Sequence, residues 1–206
     1  YPHGPLAAHV LGFTDIDHHG LAGIERSMDD ILRNRHEPLR VSLDIRVQHI
    51  LHEELSRAKE KFEAIGGAGI IANVKSGEIL ALVSLPDFDP NNLKEATDDA
   101  LFNRATLGVY EMGSTFKIFT TAAALETGTV GLKDGYDATN PIHIARFTIQ
   151  DYHPKKRWLS VPEILIYSSN IGAAKMALDV GSSAMRKFLG RLGLLRPSAV
   201  ELPEIG

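Results

Sequence analysis

The chain has 206 residues, 44% of them hydrophobic, and a formal net charge of −4 at pH 7, which suits a globular domain with a buried core. The acidic balance argues against nucleic acid as a partner, and the lack of cysteine excludes disulfides and thiolate metal sites. No apolar run reaches the roughly 18–20 residues of a membrane-spanning helix, so we expect any membrane anchor to lie outside this chain.

The first part of the chain, 1–38, is rich in glycine and histidine and only weakly periodic. Residues 6–12 predict a short helix or strand, and 23–31 predict a short helix. The side chains of the adjacent pair His18-His19 point in different directions, so a loop is predicted there rather than a metal site. Because this part, which ends in a polar connector at 34–38, has too few apolar side chains for its own core, we expect it to depend on other parts of the protein.

A strand and a long helix are predicted next. Residues 39–43 alternate apolar and polar side chains, which is typical of a strand. Asp44 is the predicted N-cap of an amphipathic helix that runs to about Ala64. His49 and His52, one turn apart on this helix, are interpreted as a polar flank rather than as metal ligands. The apolar positions recur every three or four residues and predict the buried face: Val47, Ile50, Leu51, Leu55, Ala58 and Phe62.

A hairpin follows the long helix. Residues 68–74 and 78–85 are two apolar, β-prone runs, and Lys75-Ser76-Gly77 joins them with glycine at the position that needs an unusual backbone angle. The stretch from Asp87 to Leu107 is predicted to be irregular or partly helical.

The stretch Tyr110–Gly128 predicts a helix on which Ser114 and Lys117 lie one turn apart, about 5–6 Å at Cβ. A serine hydroxyl is a poor nucleophile unless a neighbouring base accepts its proton, and a deprotonated amine can do so. Burial favours the neutral amine. We expect that burial from apolar neighbours such as Phe116 and Ile118, and we predict a nucleophile and base pair.

The Ser-x-x-Lys spacing is not specific by itself. Ser56 and Lys59 have the same spacing on the predicted helix after Asp44. There the charged surroundings favour an ordinary polar helix face. Other sequence features must therefore identify the functional pair.

The last part of the chain is predominantly helical. A polar passage after the serine helix contains a predicted strand at 142–149. Ser160-Val161-Pro162-Glu163 is a capping box that starts a short helix, which ends at the turn Ser168-Ser169-Asn170. Further helices are predicted at 171–180 and at 182–192.

A serine helix with Ser114 and Lys117, followed by Ser168 and Asn170 on a turn, is the ordered motif pair of penicillin-binding proteins and serine β-lactamases. The chain resembles the class B penicillin-binding proteins, and most closely their cell-division type. The resemblance implies their α/β (α+β) transpeptidase fold over 39–206, and the end of a non-catalytic N-terminal module with its connector over 1–38. Further matches occur in the family's order: Ser42–Gln48, Gly77–Ala81, Pro90–Asn92, Asn103-Arg104 and Glu111–Met112.

The resemblance also implies a reaction. Ser114 would attack the D-Ala–D-Ala carbonyl of a peptidoglycan stem peptide, and Lys117 would be the base. Ser168 would relay a proton to or from the leaving amine, and Asn170 would bind the substrate amide or the lysine. β-Lactams would acylate Ser114 as substrate mimics, and no metal or organic cofactor is needed. Other division proteins are expected partners, and the expected location is the periplasmic side of the bacterial inner membrane.

One departure from the family is evident. Its third motif, Lys-Thr/Ser-Gly, follows the second, and nothing after Asn170 matches it. Lys75-Ser76-Gly77 has the right letters but precedes the serine, so we interpret it as a turn. The strand of the third motif would supply one backbone donor of an oxyanion hole, whose loss elsewhere costs about 2.7–4 kcal/mol. We therefore expect a C-terminally truncated transpeptidase domain that is weakly active or inactive by itself.

Two alternatives stay open at this point. A serine β-lactamase of class D also carries Ser-x-x-Lys but usually follows it with Ser-x-Val, and class A enzymes add a glutamate that has no clear counterpart here. Fast turnover of a chromogenic cephalosporin would favour a β-lactamase. A non-catalytic scaffold or β-lactam sensor of the cell envelope is the second alternative, and growth unharmed by Ser114→Ala would favour it.

Overall fold

The computed structural model describes residues 1–34 and 37–203. It divides into two compact units, Tyr1–Val109 with the chain from Ser198 onward, and Tyr110–Pro197. Both contain helices and strands, which confirms the predicted mixed class. The units do not test the predicted module boundary after residue 38, which stays a prediction. Among the described residues, no helix combines the length and apolar character that crossing a bilayer requires.

The helices at the start of the first unit are short. A 3₁₀ turn leads into the first α-helix, so the ambiguity at 6–12 is resolved in favour of helix. The predicted helix at 23–31 is interrupted at Met28. Of the predicted connector 34–38, Arg35 and His36 lie outside the described residues. The elements are the 3₁₀ turn Gly4–Ala7, α1 (Ala8–Leu11), α2 (Gly23–Ser27) and α3 (Asp29–Asn34).

Helix α4 (Ile45–Lys61) begins where predicted, because the Asp44 carboxylate accepts a hydrogen bond from the Arg46 amide. Its buried face differs from the prediction. Ile50 is 61% exposed and Phe62, just beyond the helix, is 72% exposed, whereas Gln48 is 1% exposed. Buried polar groups need partners, and the Gln48 amide exchanges hydrogen bonds with both backbone groups of Leu82 and also donates to a carbonyl of the N-terminal segment.

The hairpin is confirmed. Strands β1 (Gly67–Ala72) and β2 (Ile79–Leu85) pair antiparallel, and Gly77 has a φ of 80° in the turn between them. The letters Lys-Ser-Gly are therefore a turn here, as predicted. The strand predicted at 39–43 is wrong. This segment reaches β2 only through the Ser42 hydroxyl and the Asp44 amide, which is too few bonds for a ladder.

The remainder of the first unit is irregular around short helices, as predicted. A 3₁₀ turn covers Leu93–Glu95 and α5 covers Asp98–Leu101, where the Thr97 side chain caps the helix. Small apolar clusters centre on Ala8, Phe88 and Ala100, and on Val10, Leu82 and Leu202.

The second unit packs four helices with two short sheets. A 3₁₀ turn leads directly into α6, and Gly128, with a φ of 69°, follows that helix as predicted. The predicted strand at 142–149 is wrong as one element, because a turn with Ala145 at a φ of 51° divides it into a hairpin. The elements are the 3₁₀ turn Gly113–Phe116, α6 (Lys117–Glu126), β3 (Gly135–Asp137), β4 (Ile142–Ile144), β5 (Phe147–Ile149), β6 (Trp158–Ser160), α7 (Val161–Ile166), α8 (Asn170–Val180) and α9 (Ser182–Arg191).

The core of the second unit lies between α6, α7, α8 and α9, over the pair β3 and β6. Leu159, Ile164 and Met176 are fully buried there. Gly172 on α8 is required by this packing, since a Cβ at that position would lie 2.6 Å from the Ile164 side chain. The close contact between α7 and α8 holds both ends of the Ser168-Ser169-Asn170 turn.

Candidate active site

Ser114 and Lys117 are brought together by a change of helix type. Ser114 lies in the 3₁₀ turn Gly113–Phe116, and Lys117 is the first residue of α6. Gly113 enters this turn with a φ of 54°, a backbone angle that glycine adopts readily. The Lys117 Nζ lies 3.1 Å from the Ser114 Oγ, within hydrogen-bond distance. Ser114 itself is exposed, so an external carbonyl can approach it.

Ser168 completes a triangle with this pair. It lies between α7 and α8 with a φ of 52°, a strained angle for a residue with a side chain. Its hydroxyl donates to the Ser114 Oγ at 2.9 Å. Its Oγ and its carbonyl oxygen lie 2.9 and 2.7 Å from the Lys117 Nζ.

Asn170, the first residue of α8, is the fourth member. Its Oδ1 accepts a hydrogen bond from the Lys117 Nζ at 2.7 Å, and its Nδ2 donates to the Gln150 carbonyl at 2.9 Å. All four residues predicted for the site therefore meet at one lysine nitrogen. The turn between helices on which Ser168 and Asn170 were expected is confirmed.

The Lys117 amine has more oxygen neighbours than protons. Its Nζ lies within hydrogen-bond distance of four oxygens, two from Ser168 and one each from Ser114 and Asn170. An ammonium has three donors and no acceptor, so it cannot give each oxygen its own proton. A neutral amine has two donors and one lone pair, and that lone pair can accept from the Ser114 hydroxyl, which gives a network in which Ser114 can lose its proton.

The pKa of the Lys117 amine is shifted in the direction of this neutral form. Burial lowers the pKa of Lys117 below its ordinary value of 10.5, and the negative charge of Asp151 opposes the shift. The source of the burial is only partly as predicted, because Phe116 and Ile118 are 39% and 62% exposed. Contacts with Ser168 and Asn170 also cover the amine.

Two further residues at the site, Gln150 and Asp151, have no local signal in the sequence. Asp151 accepts hydrogen bonds from the Ser169 hydroxyl and the Ile171 amide, and the Gln150 carbonyl accepts from Asn170. Both precede the turn by about 20 residues, in a polar passage without a motif. Gln150 and Asp151 are recognised as site residues only in the structure, where the end of β5 lies next to the start of α8.

A separate group of ligand-type side chains lies in the first unit. Carboxylate and imidazole atoms of Asp15, Asp17 and His19 lie within 4.8 Å of one another. The Asp15 carboxylate is already an acceptor for the amides of Asp17 and His19, which fixes a loop as predicted. His52, which was interpreted as part of a polar helix flank, pairs with the Asp87 carboxylate at 2.7 Å.

Comparison with known proteins gives consistent results. The profile of the penicillin binding protein transpeptidase domain matches residues 67–205. A Caulobacter vibrioides protein named probable peptidoglycan D,D-transpeptidase FtsI is 45% identical over 99% of this chain and 35% of its own length. The peptidoglycan D,D-transpeptidase FtsI of Escherichia coli K12 is 32% identical over 94% of this chain and 37% of its own length. The chain thus spans little more than a third of these relatives.

Solved structures agree. Penicillin binding protein 3 of Mycobacterium tuberculosis, in its apo form, is 28% identical and superimposes with a TM-score of 0.89, over 100% of this chain and 49% of that one. Structures of the same protein complexed with ampicillin and with aztreonam give the same TM-score. The resemblance inferred from the motifs is confirmed, and so is the predicted fold.

Proposed function

This chain belongs to the penicillin binding protein transpeptidase family, and we propose that it carries the nucleophile, base and proton relay of a peptidoglycan D,D-transpeptidase of the cell-division type. The names of the relatives support the reaction, and the division type is proposed from the order of the sequence motifs. The observation that carries the proposal is the meeting of Ser114, Ser168 and Asn170 at the Lys117 amine.

The acylation step follows from these distances. The Ser114 Oγ attacks the carbonyl carbon of the penultimate D-alanine of a stem peptide. Its proton passes to the neutral Lys117 amine, directly over 3.1 Å or through the Ser168 hydroxyl, which lies 2.9 Å from both. The tetrahedral intermediate then expels the terminal D-alanine, whose nitrogen takes that proton, and an ester remains on Ser114.

The second step reverses the roles. An amine from a neighbouring stem peptide attacks the ester carbonyl and gives a proton through Ser168 or Lys117 to the departing Ser114 oxygen. Asn170 keeps the lysine in place through its Oδ1. A β-lactam would acylate Ser114 through the same first step, in agreement with the antibiotic complexes of the mycobacterial relative.

The natural setting of this activity is the cell envelope. The relatives' substrate is peptidoglycan, so we place the protein on the periplasmic side of the inner membrane, with other cell-wall synthesis proteins as partners. The third family motif has no match in this chain, so we expect residues 1–206 alone to react with penicillin far more slowly than the full-length protein does.

The test is covalent labelling of the full-length protein by a fluorescent penicillin, with Ser114→Ala as the variant and Ser56→Ala as its matched control. We expect a stable adduct on the peptide that contains Ser114, no label on Ser114→Ala, and unchanged labelling of Ser56→Ala. Labelling of Ser114→Ala at the wild-type rate would refute the proposal. Equal labelling of residues 1–206 alone would refute the need for the third motif.

A further inference from the structure

The turn that carries Ser168 and Asn170 is tied to a carboxylate outside both motifs. Given the proposed function, on which this inference rests, we propose that Asp151 is a positioning residue of the acyl-transfer site. Its carboxylate fastens Ser169 and the first turn of α8, and thereby sets where Ser168 and Asn170 meet Lys117. Asp151 does not touch the reacting atoms in this role.

The contacts of Asp151 are specific for this turn. The Ser169 hydroxyl donates to the two carboxylate oxygens at 3.1 and 2.9 Å, and the Ile171 amide donates to Oδ1 at 3.0 Å. Ser169 is 1% exposed, and its Oγ also accepts from the Gly172 amide at 3.0 Å as the N-cap of α8. The Asp151 carboxylate thus binds both the N-cap residue Ser169 and the Ile171 amide, which is one of the first amides of α8 and has no partner within the helix.

The turn needs such a support because Ser168 is strained. A residue with a Cβ keeps a φ of 52° only where the surroundings over-determine it. Asp151 holds Ser169 and Ile171, the two residues that flank Asn170, and Ser169 also directly follows Ser168. The Gln150 carbonyl holds the Asn170 side chain from the same segment after β5. Movement of this segment would move both partners of the lysine.

The segment is itself anchored. Strand β5 ends at Ile149, which pairs with Ile142 in the hairpin with β4, and Thr148 exchanges a hydrogen bond with His143 at 2.9 Å. Asp151 follows two residues later. The hairpin of β4 and β5 belongs to neither motif. We infer that its role is to hold the Asp151 carboxylate in position.

Asp151 also has an electrostatic effect that a purely mechanical support lacks. Its charge raises the pKa of Lys117, against the lowering that burial causes. Asp151 acts on the Lys117 amine through its charge and without a hydrogen bond, and the described groups that do bond the amine, Ser114, Ser168 and Asn170, are uncharged. Loss of the Asp151 charge should therefore let the lysine become neutral at a lower pH, whereas loss of the hydroxyl of Ser169 should not.

Two variants of the full-length protein separate these effects. Asp151→Asn removes the charge and keeps one acceptor oxygen, and Ser169→Ala removes the hydroxyl and keeps the charge. The rate of acylation by a fluorescent penicillin is measured as a function of pH for both, with melting temperatures to confirm folding. Asp179→Asn is the matched control, because that carboxylate is also bound by a hydroxyl, that of Tyr136, and lies on α8 away from the four site residues.

We expect both variants to acylate about 10²-fold more slowly at their pH optimum, the cost of a small misplacement of catalytic groups. The rising limb of the profile should move to lower pH in Asp151→Asn only. Asp179→Asn should match the wild type in rate and profile. Asp151→Ala, which also loses the acceptor, should be slower still, and if it does not fold, the Asn variant decides.

The outcomes distinguish this inference from the function it rests on. A labelled wild type with Asp151→Asn unchanged in rate and profile overturns the positioning role alone. Slower rates for Asp151→Asn with an unshifted limb overturn the electrostatic part. A wild type that is not labelled at Ser114 overturns both the proposed function and the role of Asp151.

Discussion

Two serine and lysine pairs with the same spacing lie on helices of this chain, and in the described residues the side chains of only one pair are hydrogen-bonded to each other. Ser56 and Lys59 lie within the regular helix α4. Ser114 and Lys117 lie where a 3₁₀ turn changes into α6, and their side chains are 3.1 Å apart. In the part of the chain that the structure describes, no side-chain hydrogen bond joins the first pair.

The difference comes from what each helix meets. The α6 pair receives Ser168 and Asn170 from the turn before α8, which covers the amine and supplies a second hydroxyl. On α4 the polar residues with long-range partners include Gln48, which binds backbone groups, and His52, which pairs with Asp87. Spacing alone places the serine and the lysine on one face of a helix. A further structural element, here the turn before α8, determines whether the two side chains form a site or an ordinary exposed surface.

The largest expected difference between the two pairs is in acylation. Lys117→Ala in the full-length protein should lower the rate of penicillin acylation about 10²–10⁴-fold, since the proton of Ser114 loses its acceptor. Lys59→Ala should acylate at the wild-type rate. The acylation rates are measured from time courses of labelling at a fixed pH. Similar losses of rate in both variants would contradict the assignment of Lys117 as the base.

The second difference concerns stability. Gln48→Ala leaves the Leu82 amide and two carbonyls without their partner, and each buried group left unsatisfied costs about 1–3 kcal/mol. We expect a lower free energy of unfolding by urea, with labelling of Ser114 retained in the folded protein. Glu60→Ala, an exposed change on the same helix, should stay within about 0.5 kcal/mol of the wild type. Equal stability of the two variants would contradict a structural role for Gln48.

The smallest difference is in the pH dependence of α7, the helix before Ser168. Hydrogen bonds from Arg157 and from Ser160 hold the pKa of Glu163 down at about 2. A carboxyl whose folded pKa is depressed stabilises the protein above its unfolded value of 4.5, and this contribution is lost as the pH falls toward 2. Glu163→Gln should therefore show a weaker loss of stability over this range.

The measurement for that prediction is urea unfolding at several pH values between 4.5 and 2. Glu60→Gln removes an exposed carboxyl on α4 and should follow the wild-type pH dependence. If Glu163→Gln also follows the wild type, the capping box does not contribute to the acid sensitivity of this helix.

The predictions made from the sequence succeeded where the signal is local. The Asp44 cap, the turn at Gly77 and the capping box at Ser160 need only neighbouring residues, and all three are present. The predictions of single strands at 39–43, from alternating side chains, and at 142–149 were less successful. Alternation states which side chains share a face, but a ladder also needs a partner strand in register.

The sequence alone determined the four residues of the candidate site and the fold to which they belong, because a serine, a lysine and the later Ser168 and Asn170 form an ordered motif pair. The order of the motifs already favoured Ser114 and Lys117 over the second Ser-x-x-Lys pair, and only the tertiary structure identified Asp151 and Gln48 as supports. These depend on hydrogen bonds between residues 20 or more positions apart, such as Asp151 to Ile171 and Gln48 to Leu82. Such pairs produce no periodic pattern in the sequence, because their atoms come together only when the chain folds.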